Sequence, residues 1–284
     1  GHNALAFTSD GFSITNATEE DGDLNFGSRP YPTWCWKAGT AFTNDASGTG
    51  IGSIDSVGSV NTDAGFSIIS WTAGSGVAGI AHGLGGVPDL IISKDRDAAS
   101  GWIIGSHLIN NWDSYLNLSN SSTATSDVRM YHPSGEARPS STIFFQDHAA
   151  IGSSGEKMIA YCFKNVKGYQ KIGNFIGNGN ANGSYTHLGF SPAFLFLKNT
   201  ADSGGNWQLF DNKRDPNNVA NHRLFPSLTN AENSDADNNI DFLSNGFKMR
   251  TSNGDTNSNG VTFIYYAVAS SPFVTSTGIP ATAR

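Results

Sequence analysis

A stretch and its echo constrain this chain more than anything else in it. The stretch is His82-Gly-Leu-Gly-Gly-Val-Pro-Asp-Leu-Ile-Ile-Ser-Lys94, followed by Gly101-Trp102-Ile103-Ile104. The echo is His187-Leu-Gly-Phe-Ser-Pro-Ala-Phe-Leu-Phe-Leu-Lys198, followed by Gly205-Asn206-Trp207-Gln208-Leu209. His82 and His187 lie 105 residues apart, as do Trp102 and Trp207, while Pro88 and Pro192, like Lys94 and Lys198, lie 104 apart. Landmarks that keep one order and nearly one offset read as an internal duplication.

The repeated segments read as strands. Leu90-Ile91-Ile92 and Phe194-Leu195-Phe196-Leu197 are short continuous apolar runs of the kind that fills a sandwich core. Pro88 and Pro192 stand at their entries, where proline is tolerated. Trp34-Cys35-Trp36-Lys37, Tyr161-Cys162-Phe163-Lys164 and the segment around Ala267 read as three copies of one closing strand. No segment holds a 3.6-residue period, so helix should be minor. The expected fold class is all-β: tandem β-sandwich units, jelly-roll or lectin-like, related by a repeat of roughly 105 residues.

The expected organisation follows from the offsets. Residues 1–42 read as the closing strands of a truncated preceding repeat, because Ser9-Asp10-Gly11-Phe12 matches Ser244-Asn245-Gly246-Phe247. On that reading the chain is a segment of a longer one. Residues 43–64, rich in Gly, Ser, Asp and Asn, read as an exposed linker arm or an inter-unit strand with little core. Residues 65–167 and 168–273 are the two sandwich units, and 274–284 a small-residue tail.

Composition excludes some functions. The net charge is −7 and no basic run appears, so nucleic acid is not an expected partner. No apolar run reaches the 18 or so residues of a membrane span, so no membrane insertion is expected. Cys35 and Cys162 fill matching positions where the third copy has Ala267, which suggests small buried hydrophobes and free thiols rather than a bridge.

No catalytic motif stands out. His82 and His187 precede glycine turns, and repetition favours framework histidines whose rings bond the backbone. Asp147 and His148 have no nucleophile elbow to serve. The glutamates Glu19, Glu20, Glu136, Glu156 and Glu232 all lie in loop-like sequence, away from the paired arrangement that glycoside hydrolysis needs. No cofactor is expected, with calcium at one loop the only candidate. Asp235, Asp237, Asn239 and Asp241 place oxygen ligands at alternate positions, but the glycine and the distal glutamate of a calcium loop are missing, so a solvated loop is the better reading. Trp102 and Trp207 recur and read as core. Trp71 and Trp112 have no aromatic counterpart in the second unit, Asn174 facing Trp71. These two, with Tyr115 and Tyr131, are therefore the candidate ligand-binding surface.

With these motifs in place a resemblance emerges. Trp34-Cys35-Trp36-Lys37-Ala38-Gly39, Asn61-Thr62-Asp63-Ala64-Gly65-Phe66-Ser67-Ile68 and His82-Gly83-Leu84-Gly85 with Pro88-Asp89 resemble an uncharacterised repeat domain of structural proteins of tailed phages, especially marine and cyanobacterial ones. Ala160-Tyr161-Cys162-Phe163, Gly177-Asn178-Gly179, Asp241-Phe242-Leu243-Ser244-Asn245-Gly246-Phe247 and Pro280-Ala281-Thr282-Ala283-Arg284 resemble its later blocks, in the same order. One departure is Ser70-Trp71-Thr72-Ala73-Gly74, where that family more often has tyrosine and Asn-Gly. The resemblance implies a virion or tail-associated protein and supplies no catalytic residues. The expectation is a non-enzymatic virion protein, a tail-fibre or surface-adhesion segment located on the virion or outside the cell. Its partners would be a host cell-surface polysaccharide or other virion proteins, including copies of itself as a homo-oligomer. The rival reading is a carbohydrate-active enzyme (a polysaccharide depolymerase or glycoside hydrolase) or its carbohydrate-binding module. A third is a purely structural module that binds only its own copies.

Overall fold

Alternating apolar residues along each short segment turn to one side, and the segments pair into antiparallel sheets. The computed structural model describes residues 4–8, 11–15, 30–127, 131–133, 137–147, 153–201 and 205–271. The chain divides into two units, residues 1–37 and 38–284.

In the first unit, β1 (Ala4–Phe7) and β2 (Phe12–Thr15) form a hairpin with Phe7 opposite Phe12 and Leu5 opposite Ile14. Residues 30–37 carry no regular element, and Cys35 is exposed there, contrary to the small buried hydrophobe expected at that position.

The second unit opens with β3 (Thr40–Asn44), a single helical turn α1 (Ala46–Thr49) and β4 (Ser56–Asn61). Asp45 caps the turn by accepting from the Gly48 N–H at 3.0 Å. There follow β5 (Phe66–Thr72), β6 (Val77–Ala81), β7 (Leu90–Asp95), β8 (Ile103–Ser106), β9 (Ser114–Asn117), β10 (Thr125–Ser126), β11 (Ile143–Asp147) and β12 (Lys157–Phe163). One eight-stranded sheet runs in the order β10-β9-β8-β7-β12-β5-β4-β3, and β11 pairs with β6 in a second. Residues 43–64 are thus not an arm: β3 and β4 extend the sheet beyond β5, and Ser56 and Asn44 are buried. Glycine-rich sequence concealed a strand because Gly58 passes so close to the Ile68 carbonyl that no Cβ fits.

The remainder forms β13 (Gln170–Ile176), β14 (Tyr185–His187), β15 (Pro192–Asn199), β16 (Gln208–Asp211), β17 (Ile240–Leu243), β18 (Gly246–Met249), the helical turn α2 (Gly254–Asn257) and β19 (Thr262–Ala269). The orders are β13-β19-β15-β16 and β14-β18-β17. The protein is all-β with little helix. Among the described residues no helix is long and apolar enough to cross a membrane.

Each pair of sheets encloses a core. Ile69, Ile91, Met158, Ala160 and Cys162 of the eight-stranded sheet meet Ile80 and Phe144 of the β6–β11 pair. Leu195, Leu197, Phe263 and Ala267 meet Phe247, Met249 and Ile240 in the same way. The registers run parallel. Cys162 lies opposite Ser67 and Ile91, and Ala267 lies opposite Lys171 and Leu195. Ile91, Leu195, Cys162 and Ala267 are all fully buried. The β1–β2 hairpin shares its register with β17–β18, where Phe242 faces Phe247 and Ile240 faces Met249.

The two cores do not stand apart. Phe163 bridges Phe66 at 4.8 Å and Tyr266 at 4.9 Å between ring centroids, and Gln170 Nε2 donates to the carbonyls of Gly65 and Lys164 at 3.0 and 2.7 Å. This seam ties residues 65–167 to 168–273 in one body.

Candidate functional site

The four aromatic residues singled out above do not form a surface. Trp71, Trp112 and Tyr131 are 6 %, 2 % and 0 % exposed, and Tyr115 packs against the same core. Their rings touch one another or Phe144: Trp112 to Tyr131 at 5.7 Å, Tyr131 to Phe144 at 6.5 Å, Trp71 to Phe144 at 5.6 Å. Two physical reasons explain the correction. First, Trp71 opposes Met158 as Phe175 opposes Phe263, so its counterpart is the buried Phe175 and not Asn174. Second, Tyr131 lies over Gly105, where a Cβ would meet its ring at 2.1 Å. The residue 105 positions beyond Gly105 is Phe210, itself buried in the second core. One core takes its ring from the strand and the other borrows it from a distant loop.

Burial sets the chemistry of the titratable groups in these cores. Tyr131 OH lies 3.0 Å from Ser93 Oγ and donates to the Ile103 carbonyl at 3.1 Å, and burial pushes its pKa upward. Burial also pushes the Cys162 thiol up to about 12, which makes it inert. Both cysteines are free. His82 is fully buried, with Nε2 3.2 Å from the Ser140 carbonyl and Nδ1 accepting from the Leu84 N–H at 3.2 Å. Burial holds it neutral, with its pKa lowered to about 4. His187 is exposed and lies 3.2 Å from Tyr185 OH.

The acidic candidates are dispersed. Asp241 pairs with Arg250 at 3.4 Å, and Asp235 accepts from Asn233 at 2.6 Å. Arg223, 7 % exposed, lies 3.7 Å from Asp255, and the charges of Asp255, Asp235 and Asp237 oppose the effect of burial on it. A guanidinium therefore balances carboxylates that the alternate spacing had suggested for calcium. Asn239 Oδ1 is buried without a hydrogen-bond partner among the described residues. Among the described residues no three His, Cys, Asp or Glu side chains gather as a metal site. Glu232 pairs with Arg214 at 2.7 Å, and Glu156 accepts from the Ser153 N–H. Glu19, Glu20, Glu136 and His148 lie outside the described residues.

A cleft that no sequence motif announced lies at the other core. Ser191 and Pro192 at the start of β15, Asn212 after β16, Asp215 to Asn218 in the following loop, and Phe242 on β17 line about 130 Å³. The loop is built by its own carboxylates. Asp211 accepts from the N–H groups of Lys213 and Arg214, both at 2.9 Å. Asp215 accepts from the N–H groups of Asn221 and His222 at 2.9 and 2.8 Å, and its other oxygen lies 2.6 Å from His222 Nδ1. Asn218 acts as an extra rung beside β17: Nδ2 donates to the Phe242 carbonyl at 2.8 Å, and Oδ1 accepts from its N–H at 2.9 Å. Asn212 donates its N–H to the Ala193 carbonyl at 2.9 Å, and its side-chain Oδ1 is buried with no partner among the described residues.

This arrangement presents side-chain amides, one carboxylate and one aromatic ring. The volume is below the roughly 300–1,000 Å³ of pockets that engulf a small molecule, so it suits the edge or end of a polar guest. The described lining contains one carboxylate, Asp215, already held by three donors. Sequence offered one usable signal: the density of Asn and Asp from 211 to 218.

An all-β protein with a small polar surface cleft is the class these features define. The chain belongs to the family described as domain of unknown function DUF7483, which matches residues 1–272. No curated protein and no solved structure matches it.

Proposed function

We propose that this chain is a non-enzymatic virion protein, a tail-fibre or surface-adhesion segment that grips a host surface glycan at the Asn212–Asn218 cleft. The observation that carries the reading is the cleft lining itself, which sets the Asn212 and Asn217 amides beside the Phe242 ring. Asn217 offers a further amide, and Phe242 a ring against which the apolar face of a pyranose packs. The ordered resemblance of the chain's motifs to tailed-phage structural domains supports the virion setting.

The same proposal takes the second unit as two jelly-roll-like sandwich modules of a tandem array. The matched strand orders β5-β12-β7-β8 and β13-β19-β15-β16, with registers 104–105 residues apart, support it.

A glycan array followed by titration calorimetry tests the glycan reading. Binding of a neutral polysaccharide that falls at least about tenfold in Asn212→Ala is expected, the loss of one well-placed hydrogen bond being worth roughly that factor. Release of reducing sugar by the wild-type chain, abolished by one carboxylate substitution, would establish the enzyme instead.

A further inference from the structure

The solvent face of the β14-β18-β17 sheet carries an aromatic ring that is laid across the sheet and fixed there. Tyr185 is 46 % exposed. Its ring leans over the neighbouring strand, where a Cβ on Gly246 would lie 3.0 Å from Tyr185 Cε2, and glycine leaves it that room. The hydroxyl is engaged by the chain itself. It donates to Asn245 Oδ1 at 2.6 Å and lies 3.2 Å from His187 Nδ1. With the hydroxyl proton given to Asn245, Nδ1 is the donor of the second contact, and Nε2 of the exposed His187 keeps its lone pair for an outside hydroxyl. A tyrosine held at both ends offers a ring with little rotamer freedom left to lose on binding.

Cations gather round this ring, although the net charge of the chain is −7. Lys248 stands opposite Tyr185 across the strand pair. Residues so placed have Cβ atoms about 4.5–5.5 Å apart. Among the described residues the Lys248 ammonium meets no hydrogen-bond acceptor and no ion-pair partner. Lys171, on β13, reaches the same strand and donates to the His187 carbonyl at 2.8 Å. Burial lowers its pKa, which an anion beside it would raise again. Asp241, opposite Lys248 on its other side, is engaged by Arg250 at 3.4 Å. The outer sheet of the other core differs in kind: Phe145 and Ile143 flank the buried Phe144 there, where Lys248 and Gly246 flank the buried Phe247 here.

We infer that the Tyr185–Lys248 face binds a pyranose that carries a carboxylate, a uronic acid unit of an acidic polysaccharide. The ring packs against the apolar face of the sugar, the Lys248 and Lys171 ammonium groups meet its carboxylate, and His187 Nε2 accepts from a hydroxyl. Two ammonium groups beside one ring match a single anionic sugar, and not the run of phosphates that nucleic acid presents. The inference shares with the glycan reading above only its class of partner, since none of these residues lines the Asn212–Asn218 cleft.

Titration calorimetry of the full chain with oligogalacturonate, and with dextran as the uncharged control, tests it. Oligogalacturonate should bind, and more weakly as salt is added. Tyr185→Ala should weaken that binding about tenfold, the effect of losing one aromatic contact. Lys248→Gln should weaken it about two- to fivefold and flatten its salt dependence. Lys248 has no printed partner to lose, so that variant keeps its fold and should melt with the wild type. Asn212→Ala should leave oligogalacturonate binding within about twofold. A loss there equal to that in Tyr185→Ala would put the acidic sugar in the cleft and overturn the inference. Binding that salt abolishes but Tyr185→Ala leaves intact is charge attraction without the ring, and overturns it as well. A wild-type chain that ignores oligogalacturonate yet binds a neutral polysaccharide through Asn212 sinks this face alone. Binding of oligogalacturonate that needs Tyr185, with no neutral glycan bound at Asn212, upholds the face and sinks the cleft.

Discussion

Replacing Gly105 with alanine tests whether Tyr131 is core. The added Cβ would sit 2.1 Å from Tyr131 Cδ2 and 2.2 Å from Cε2, so the ring must leave its place. The ring has nowhere near to go, because Trp112 and Phe144 flank it. Overpacking of this kind costs about 1–3 kcal/mol. Displacement also breaks the hydroxyl's contacts with Ser93 and the Ile103 carbonyl. Leaving those buried groups without partners adds about 1–3 kcal/mol. Gly105→Ala should therefore lose roughly 2–6 kcal/mol, read as a shift in the urea midpoint at unchanged slope. In a Tyr131→Ala background the same methyl enters vacated space and should cost under about 1 kcal/mol, a coupling that the double-mutant cycle isolates. A single substitution that moves stability by less than about 0.5 kcal/mol would refute the burial of Tyr131 over Gly105, since surface changes fall in that range.

Three further outcomes follow from the same cores. His82 has its pKa lowered to about 4 by burial, so the unfolded chain binds a proton near pH 6.5 that the folded chain refuses. Stability should fall as pH drops from about 6.5 to about 4, by on the order of 3 kcal/mol from this group. His82→Gln should flatten that part of the profile, and an unchanged slope counts against the buried neutral ring. A thiol reagent at neutral pH should modify one cysteine of the native chain, the exposed Cys35, and a second only in denaturant; rapid labelling of both would mean that Cys162 is not enclosed. Leu195→Ala, at a fully buried position opposite Ala267, should cost about 2–5 kcal/mol, as should Ile91→Ala opposite Cys162. Denaturant titration of the pair reads both, and a large loss in one with none in the other would separate the two environments.

The β class was legible because side-chain alternation is local. Ile91 and Leu195 can be picked as strand interior from their neighbours alone, and both are fully buried. The edge strand β3 and its neighbour β4 were not legible as parts of the main sheet. The Gly- and Ser-rich sequence of β4 reflects the close backbone approach at Gly58, which is a relation to Ile68 rather than a pattern. Trp71 was misplaced by a single residue, and in a strand one residue reverses the face. The register with Met158 restores it. The candidate cleft was hidden for a similar reason. It joins Ser191, a loop at 212–218 and Phe242, segments that only the folding of β15 to β17 brings together.

By itself the sequence determined what is periodic: short strands, apolar runs at matched offsets, low charge, and a chain built from β elements. Those follow from backbone geometry, which repeats every two residues whatever lies across the sheet. The tertiary structure alone decided which aromatic rings are buried and which polar atoms are left without partners. Both depend on what stands opposite in space, as Gly105 stands under Tyr131 and as no described group donates to Asn212 Oδ1.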